Sequence, residues 1–203
     1  MIIIKNKGLS GEGRELHLLV HICCGPCAAY PIPFLQQAGH RLRGYFYNPN
    51  VHPYQEHQKR AEGLRQLARA LNLEVIWDKD YELEKYLRQV CFREEQRCRL
   101  CYHLRLQKTA RVARRGGFDG FTTTLLVSPR QKHELIKEAG EQAAAEAGVT
   151  FFYQDFRPGY KEAVARSREL NLYRQSYCGC LFSERDRYAP RQGQAAKGGA
   201  ADE

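Results

Sequence analysis

The sequence predicts an α/β fold in which helices cover both faces of a mostly parallel β-sheet. Short apolar runs alternate along the chain with longer segments of helical spacing, and this alternation is typical of βαβ units. The chain has 203 residues, of which 43% are hydrophobic. A chain of that size can bury a full core in one domain, so it does not need disulfides for stability.

Each predicted strand is a run of five to seven residues that is largely apolar or β-branched. The first run has the character of a buried strand, and Thr122, Thr123 and Thr124 give the fourth its β-branched character. In chain order the predicted strands are Leu16–Ile22, Leu42–Tyr47, Leu73–Trp77, Gly120–Leu126 and Val149–Tyr153.

The longer segments between these runs are predicted to be helices. Leu64, Leu67 and Leu71 recur at helical spacing in the second of them. Pro31 and Pro33 indicate an irregular start or a kink in the first. In chain order the predicted helices are Cys27–Gln37, Tyr54–Leu71, Tyr81–Cys91, Leu100–Arg115, Gln131–Ala147 and Tyr160–Leu170.

The chain is expected to form a single domain at residues 16–189, with an N-terminal extension at 1–15 and a disordered tail at 190–203. The tail is rich in Gly, Ala, Gln and charge and has no apolar periodicity. No secretory signal is visible at the N-terminus. The apolar stretch at 16–24 is far shorter than the roughly 20 residues that span a membrane. We therefore expect a cytoplasmic protein without membrane association.

The charge balance favours a polyanionic partner. The chain has 32 basic and 23 acidic side chains, a formal net charge of +9. Lys and Arg side chains that neutralise phosphates release condensed counterions, which drives binding to nucleic acids. A solvated basic surface without a partner is the alternative interpretation.

Three groups of cysteines stand out among the eight in the chain. Cys23 and Cys24 follow the first predicted strand, with Cys27 in the same motif. They therefore fall at the carboxyl edge of the sheet, where parallel folds bind ligands. Cys98 and Cys101 are three residues apart, so in a helix both thiols project from one face. The third group is the Cys178–Cys180 segment.

The pairs Cys23/Cys24 and Cys98/Cys101 supply four thiolates for one metal site. Four thiolates suit tetrahedral zinc or an iron–sulfur cluster, and spacing alone does not choose between them. An adjacent cysteine pair at a strand end is less typical of structural zinc than two CxxC motifs, which favours a cluster. Buried free thiols are the remaining alternative, and Cys91, which has no partner in sequence, is expected to be one.

Cys178 and Cys180 are separated by one glycine. A bent segment can bring their Cα atoms within the roughly 7 Å that a disulfide requires, with some strain. Strained bridges are easily reduced, so a cycling redox disulfide is one interpretation. Two further metal ligands are the other.

Six motifs in the same order resemble the cobalamin-independent epoxyqueuosine reductases, over most of the chain from about residue 21 to 183. Several motifs together are far more specific than any one alone. The matching segments are His21–Cys27, Tyr47–Pro53, Cys98–Tyr102 with Arg105 and Leu106, Phe121–Leu126, Asp155–Arg157 and Leu172–Cys180.

This resemblance implies an enzyme that reduces epoxyqueuosine in the tRNA anticodon loop to queuosine, with an external electron donor and a nucleotide-binding (HUP or Rossmann-like) fold. It implies that Cys23, Cys24, Cys98 and Cys101 hold a 4Fe-4S cluster. It also implies that Cys178 and Cys180 form a catalytic redox pair. An additional mononuclear iron is expected in some members of the family, with Cys27 as a candidate ligand. The resemblance indicates no oligomeric state.

Two other functions compete with this interpretation. An ATP-dependent tRNA thiolase of the pyrophosphatase-loop type shares a related fold, but it would need a Ser-Gly-Gly-x-Asp-Ser loop after the first strand. The chain has Cys23–Cys27 there, so phosphate binding by that loop is not supported. The second is a zinc-stabilised RNA-binding module. The proton donor of a reductase is left open between Asp155 and His52.

Overall fold

The computed structural model of the protein describes residues 14–189. Five parallel strands form one sheet in the order β3-β2-β1-β4-β5. The three central residues of the first strand are fully buried, because helices cover a parallel sheet on both faces. The strands are β1 (His17–His21), β2 (Arg41–Phe46), β3 (Val75–Trp77), β4 (Gly120–Thr123) and β5 (Thr150–Phe151).

Eight α-helices connect and follow these strands within the described residues. They are α1 (Gly25–Ala28), α2 (Pro31–Gln37), α3 (Tyr54–Ala70), α4 (Leu83–Val90), α5 (Arg97–Arg115), α6 (His133–Ala147), α7 (Tyr160–Glu169) and α8 (Leu181–Tyr188). Helix α1 packs against α3 and α7, whereas α5 packs against α6, β1 and β4. These two groups form the two layers that enclose the sheet, so the predicted α/β class is confirmed.

The strand order reverses between β1 and β4. Strand β2 pairs with one edge of β1, β4 pairs with the other, and His21 lies beside Thr123 in the register. The segments that leave these two strand ends diverge, which opens a crevice at the carboxyl edge of the sheet. Cys23 and Cys24 follow β1 directly into this crevice.

Two predicted elements differ from those observed. The strand predicted at Gly120–Leu126 ends at Thr123, and a short 3₁₀ helix occupies Thr124–Val127. The Thr123 hydroxyl accepts a hydrogen bond from the Leu125 amide at 3.1 Å, which turns the chain out of the sheet. The helix predicted at Cys27–Gln37 is divided into α1 and α2, because Pro31 starts a new helix.

Helix α8 was not predicted, and it follows the Cys178–Cys180 segment directly. None of the helices between residues 14 and 189 is both long and apolar enough to cross a membrane. The predicted tail at 190–203, and all but two residues of the predicted N-terminal extension, lie outside the described residues.

Candidate metal and redox site

Three cysteines form a cluster of thiols where β1 ends. The Sγ atoms of Cys23, Cys24 and Cys27, which we call the thiol triad, all lie within 4.8 Å of one another. The Sγ atoms of Cys23 and Cys24 are 3.7 Å apart. Thiolates that share one tetrahedral ion at about 2.3 Å are separated by a similar distance. The triad is therefore suited to binding a metal.

Close packing of α1 on α3 fixes the position of the triad. A Cβ atom on Gly25 would lie 2.5 Å from the backbone carbonyl oxygen of Gly63, so only glycine allows this approach. Gln175, in the segment that precedes α8, donates a hydrogen bond to the Sγ of Cys24 at 3.0 Å. Three distant parts of the chain thus meet at the triad.

The three thiols of the triad differ in pKa. Hydrogen bonds from Cys24 and Cys27 hold the pKa of Cys23 well below its usual value, and they outweigh the opposing effect of burial. The contact with Cys23 raises the pKa of both Cys24 and Cys27. Cys23 is therefore the thiolate of the group, and a thiolate is the form that binds metals.

A buried arginine connects the triad edge of the sheet with helix α5. Arg105 donates to Nε2 of His21 at 3.3 Å and to Oδ1 of Asn48 at 2.7 Å, and one of its amino groups lies 3.8 Å from the Sγ of Cys101. Burial, together with the charge of Arg105, lowers the pKa of His21 to about 3. His21 is therefore neutral, and its Nδ1 bonds to Thr123 at 2.8 Å.

Cys178, Gly179 and Cys180 form the turn before α8, which we call the redox loop. The two Sγ atoms are 3.9 Å apart, with Cys178 exposed and Cys180 buried. Gly179 has a φ of +127°, a conformation that favours glycine. A hydrogen bond from Cys178 lowers the pKa of Cys180 to about 5 despite its burial, and it raises the pKa of Cys178. The pair therefore contains one thiolate and one thiol at neutral pH.

Arg60 of α3 holds the redox loop in place. It donates to the carbonyl oxygens of Tyr177 at 3.0 Å and Cys178 at 2.8 Å, and its Nη2 lies 2.7 Å from Oε1 of Glu56. The other Glu56 oxygen accepts a hydrogen bond from Tyr173. Burial disfavours the charge of Arg60, but the nearby Cys24 and Glu56 raise its pKa above the usual value.

Two cavities of about 190 Å³ each adjoin the thiols. The first, the triad cavity, is bordered by Cys23, Cys27 and Cys178. The second, the loop cavity, is bordered by Cys98, Cys101, Cys178 and Cys180. Both are also lined by Arg130 and Gln131, so the two spaces meet beside the exposed sulfur of Cys178.

Comparison with known proteins identifies the family. A family model described as Epoxyqueuosine reductase QueH matches residues 18–186. The chain belongs to the epoxyqueuosine reductase QueH family. This confirms the resemblance drawn from the motifs, and it makes the chain an oxidoreductase. The two competing functions, the thiolase and the zinc-stabilised RNA-binding module, are not favoured.

The QueH relatives match most of the chain. Epoxyqueuosine reductase QueH of Dehalococcoides mccartyi is 40% identical over 171 residues, which cover 84% of this chain and 94% of that protein. The QueH of Thermotoga maritima is 37% identical over 175 residues, which cover 82% of this chain and 89% of that protein.

A solved structure shares the fold. A predicted subunit of tRNA methyltransferase from Methanocaldococcus jannaschii superimposes with a TM-score of 0.51 at 14% identity, over 76% of this chain and 75% of that chain. At this identity the likeness supports the α/β architecture alone.

The six cysteines predicted for the QueH site lie in two adjoining groups. Cys23 and Cys24 belong to the thiol triad together with Cys27. Cys98 and Cys101 lie on the first turns of α5 and face the loop cavity with Cys178 and Cys180. Cys91 is exposed, unlike the buried thiol expected from its isolation in the sequence.

Neither of the two candidate proton donors lines a cavity of the site. Asp155 is paired with Arg157, whose hydrogen bonds lower the pKa of that carboxyl, so it is ionised at neutral pH and has no proton to donate. His52 is buried, and its Nε2 faces the carbonyl oxygen of Pro49 at 3.1 Å. Neither side chain borders the thiols, so neither is supported as the donor.

The sequence interpretation missed Arg60 and Arg105 as parts of the site. A signal for each was present in the helical spacing. Arg60 lies four residues before Leu64, on the face of α3 that the pattern predicts to be buried. Arg105 lies four residues after Cys101, on the same face of α5 as the predicted ligand. A charged residue on the buried face of a helix needs a partner, and here the partners are in the site.

Proposed function

We propose that this chain is an epoxyqueuosine reductase that removes the epoxide oxygen from epoxyqueuosine in tRNA, giving queuosine and water. One observation carries the proposal. In a member of the QueH family, two cysteines of a thiol triad suited to metal binding and one cysteine of a separate close pair border one cavity at the switch point of the sheet. A single catalytic domain at residues 16–189 and a cytoplasmic location, where thiols stay reduced, belong to the same proposal.

The residues around the triad fit an anionic iron–sulfur cluster. Cys23, Cys24, Cys98 and Cys101 would hold a 4Fe-4S cluster, and Cys27 would be a ligand of an additional iron. The buried cations Arg60 and Arg105 support this fit, since each lies close enough to thiols of the site for its pKa to rise. Bound there, the cluster supplies single electrons, and the additional iron supplies a Lewis acid.

The redox loop matches the electron count of the reaction. Conversion of an epoxide to an alkene and water consumes two electrons and two protons. Oxidation of the Cys178/Cys180 pair, one thiol and one thiolate, to a disulfide releases two electrons and one proton. With the second proton taken from water, one cycle of the pair supplies both electrons of one turnover. With their sulfur atoms 3.9 Å apart, the two thiols need only a small movement to form the bond.

The exposure of the two sulfurs indicates how an external donor would reset the pair. The donor reaches Cys178, because that residue is exposed and Cys180 is buried. Attack of a donor thiolate on the sulfur of Cys178 releases Cys180 as the leaving thiolate and leaves a mixed disulfide, from which a second donor thiol releases Cys178. The hydrogen bond from the Cys178 thiol that most lowers the pKa of Cys180 is absent in the disulfide, but hydrogen bonds from Ser183 and Tyr86 also lower it, and a low pKa makes a good leaving group.

The triad cavity would receive the modified base. A base inside an RNA helix is inaccessible, so the substrate nucleotide must be unstacked and extruded. Polar side chains of Ser128, Tyr160 and Gln175 line the cavity beside Cys23 and Cys27. They offer hydrogen-bond partners to the base and its ring hydroxyls.

The proposal is tested by anaerobic reconstitution with iron and sulfide, followed by incubation of the protein with epoxyqueuosine-containing tRNA and a chemical reductant. We expect queuosine to appear in nucleoside digests analysed by mass spectrometry, and the protein to be brown and to contain acid-labile sulfide. A colourless zinc protein that leaves the nucleoside unchanged would overturn the proposal.

A further inference from the structure

We infer that Arg130, Lys132 and Arg174, which we call the cationic rim, bind the backbone phosphates of the tRNA next to the extruded nucleotide. The inference rests on the proposed function, and it assigns the surface by which the substrate is held. All three residues are exposed. Arg130 borders both cavities, Arg174 borders the triad cavity and Lys132 borders the loop cavity.

The lining of the two cavities contains no carboxylate. Beyond the rim, its cations are Arg60, Arg97 and Arg105. Other surface pockets in the described part of the chain differ in this respect. The pocket with Arg69 includes Glu74, and the pocket with Arg99 includes Glu138. The lining of the site therefore carries cations and no carboxylate, as a polyanionic ligand requires.

The cationic side chains that line the two cavities are of two kinds, those with a partner in the protein and those without one among residues 14–189. Arg60 and Arg105 are buried and hydrogen-bonded within the site, and Arg97 pairs with Asp186 at 2.6 Å. The side chains of the rim form no ion pair and no hydrogen bond with any residue between 14 and 189. Their charges are thus available to a ligand outside the protein.

The position of the rim fits an RNA backbone on both sides of an extruded base. A flipped nucleotide that enters the triad cavity leaves its neighbouring phosphates at the cavity mouth. Arg130 lies where the two cavities join, and Lys132 and Arg174 lie on either side of that junction. Arg and Lys contacts to phosphates position a substrate without reading its sequence.

A matched control lies at the other edge of the sheet. Arg111, Arg114 and Arg115 end α5, shortly before β4 begins. They are exposed and form no ion pair within residues 14–189. Replacing these three by Gln removes the same charge as replacing the rim, without altering the cavity mouth.

The experiment measures binding to an anticodon stem-loop RNA without epoxyqueuosine, by fluorescence anisotropy between about 50 and 200 mM salt. The reconstituted protein is compared with Arg130→Gln, Lys132→Gln and Arg174→Gln, singly and combined, and with the combined control. Each rim substitution should reduce the slope of log K against log salt by about 0.7, the value for one phosphate of a single strand. In the combined rim variant the slope should fall by about 2. In the combined control the slope should fall by less than it does for a single rim substitution.

Equal slopes for the rim variant and the unsubstituted protein, or equal losses in rim and control variants, would overturn the inference. So would a rim variant that binds RNA normally but accepts electrons more slowly from an acidic donor protein, with an unchanged rate from dithionite. That result would assign the surface to the donor. The rim variant could bind RNA more weakly while the unsubstituted protein forms no queuosine. That result would refute the proposed reaction and leave the rim assignment intact.

Discussion

The guanidinium of Arg60 donates a hydrogen bond to the backbone carbonyl oxygen of Cys178, 118 positions later in the chain, at 2.8 Å. This contact ties the redox loop to helix α3, whose residue Gly63 packs against the helix of the thiol triad. A second bond to the carbonyl of Tyr177 leaves the loop little freedom to turn. The spacing between the cysteine pair and the triad therefore depends on one buried side chain.

Removal of the carboxylate that pairs with Arg60 should destabilise the fold strongly. Glu56→Ala leaves a buried guanidinium without its counterion, and such losses cost about 3–5 kcal/mol. Glu62→Ala, on the same helix, removes an exposed partner of Arg65 and should cost less than about 1 kcal/mol. Urea denaturation of both variants measures the difference. Similar losses in the two would contradict the role assigned to Glu56.

The contact between α1 and α3 should tolerate a methyl group on only one of its two glycines. Gly25→Ala places a Cβ 2.5 Å from the carbonyl oxygen of Gly63 and should cost about 1–3 kcal/mol by overpacking. Gly63→Ala meets no atom closer than 3.8 Å and should stabilise the helix by up to about 1 kcal/mol. Thermal melting distinguishes the two variants. Stabilisation by Gly25→Ala would show that the helices are not in this contact.

Stability should fall as the pH falls from about 6.5 to 4. Burial lowers the pKa of His52 to about 4, whereas an unfolded histidine titrates near 6.5. Within this window the unfolded chain binds a proton that the folded chain does not, so acid favours unfolding. His52→Gln should make the dependence of the unfolding free energy on pH shallower over this range. An unchanged pH profile in the variant would rule out His52 as a contributor.

The redox pair should be essential for turnover and dispensable for iron binding. Cys178→Ser and Cys180→Ser each remove one half of the pair, so both should lose queuosine formation while iron and sulfide contents stay unchanged. Cys91→Ser is the control, because that cysteine is exposed and lies outside both cavities. Nucleoside mass spectrometry and iron analysis of the same preparations decide the point. Loss of iron from the Cys178 and Cys180 variants would indicate that they are metal ligands instead.

Local pattern in the sequence determined most of the fold. The apolar run that ends at His21 predicts β1, and the helical spacing of Leu64 and Leu67 predicts α3. Both patterns are visible because a buried strand is continuously apolar and the buried face of a helix has apolar residues at regular spacing. The redox loop and the cysteine pairs were also visible, since each lies within a few residues in the chain. The sequence of helix α8 has no such apolar pattern, because none of its residues is buried.

Only the tertiary structure decided which of these groups meet. The contact of Gln175 with Cys24 joins the segment before α8 to the triad, and the placement of Cys178 between two cavities follows from its bond to Arg60. Contacts between residues more than 100 positions apart arise from crossovers and side-chain packing, which no local pattern encodes. The residue types therefore indicated the chemistry, whereas the packing of helices at the switch point of the sheet set its geometry.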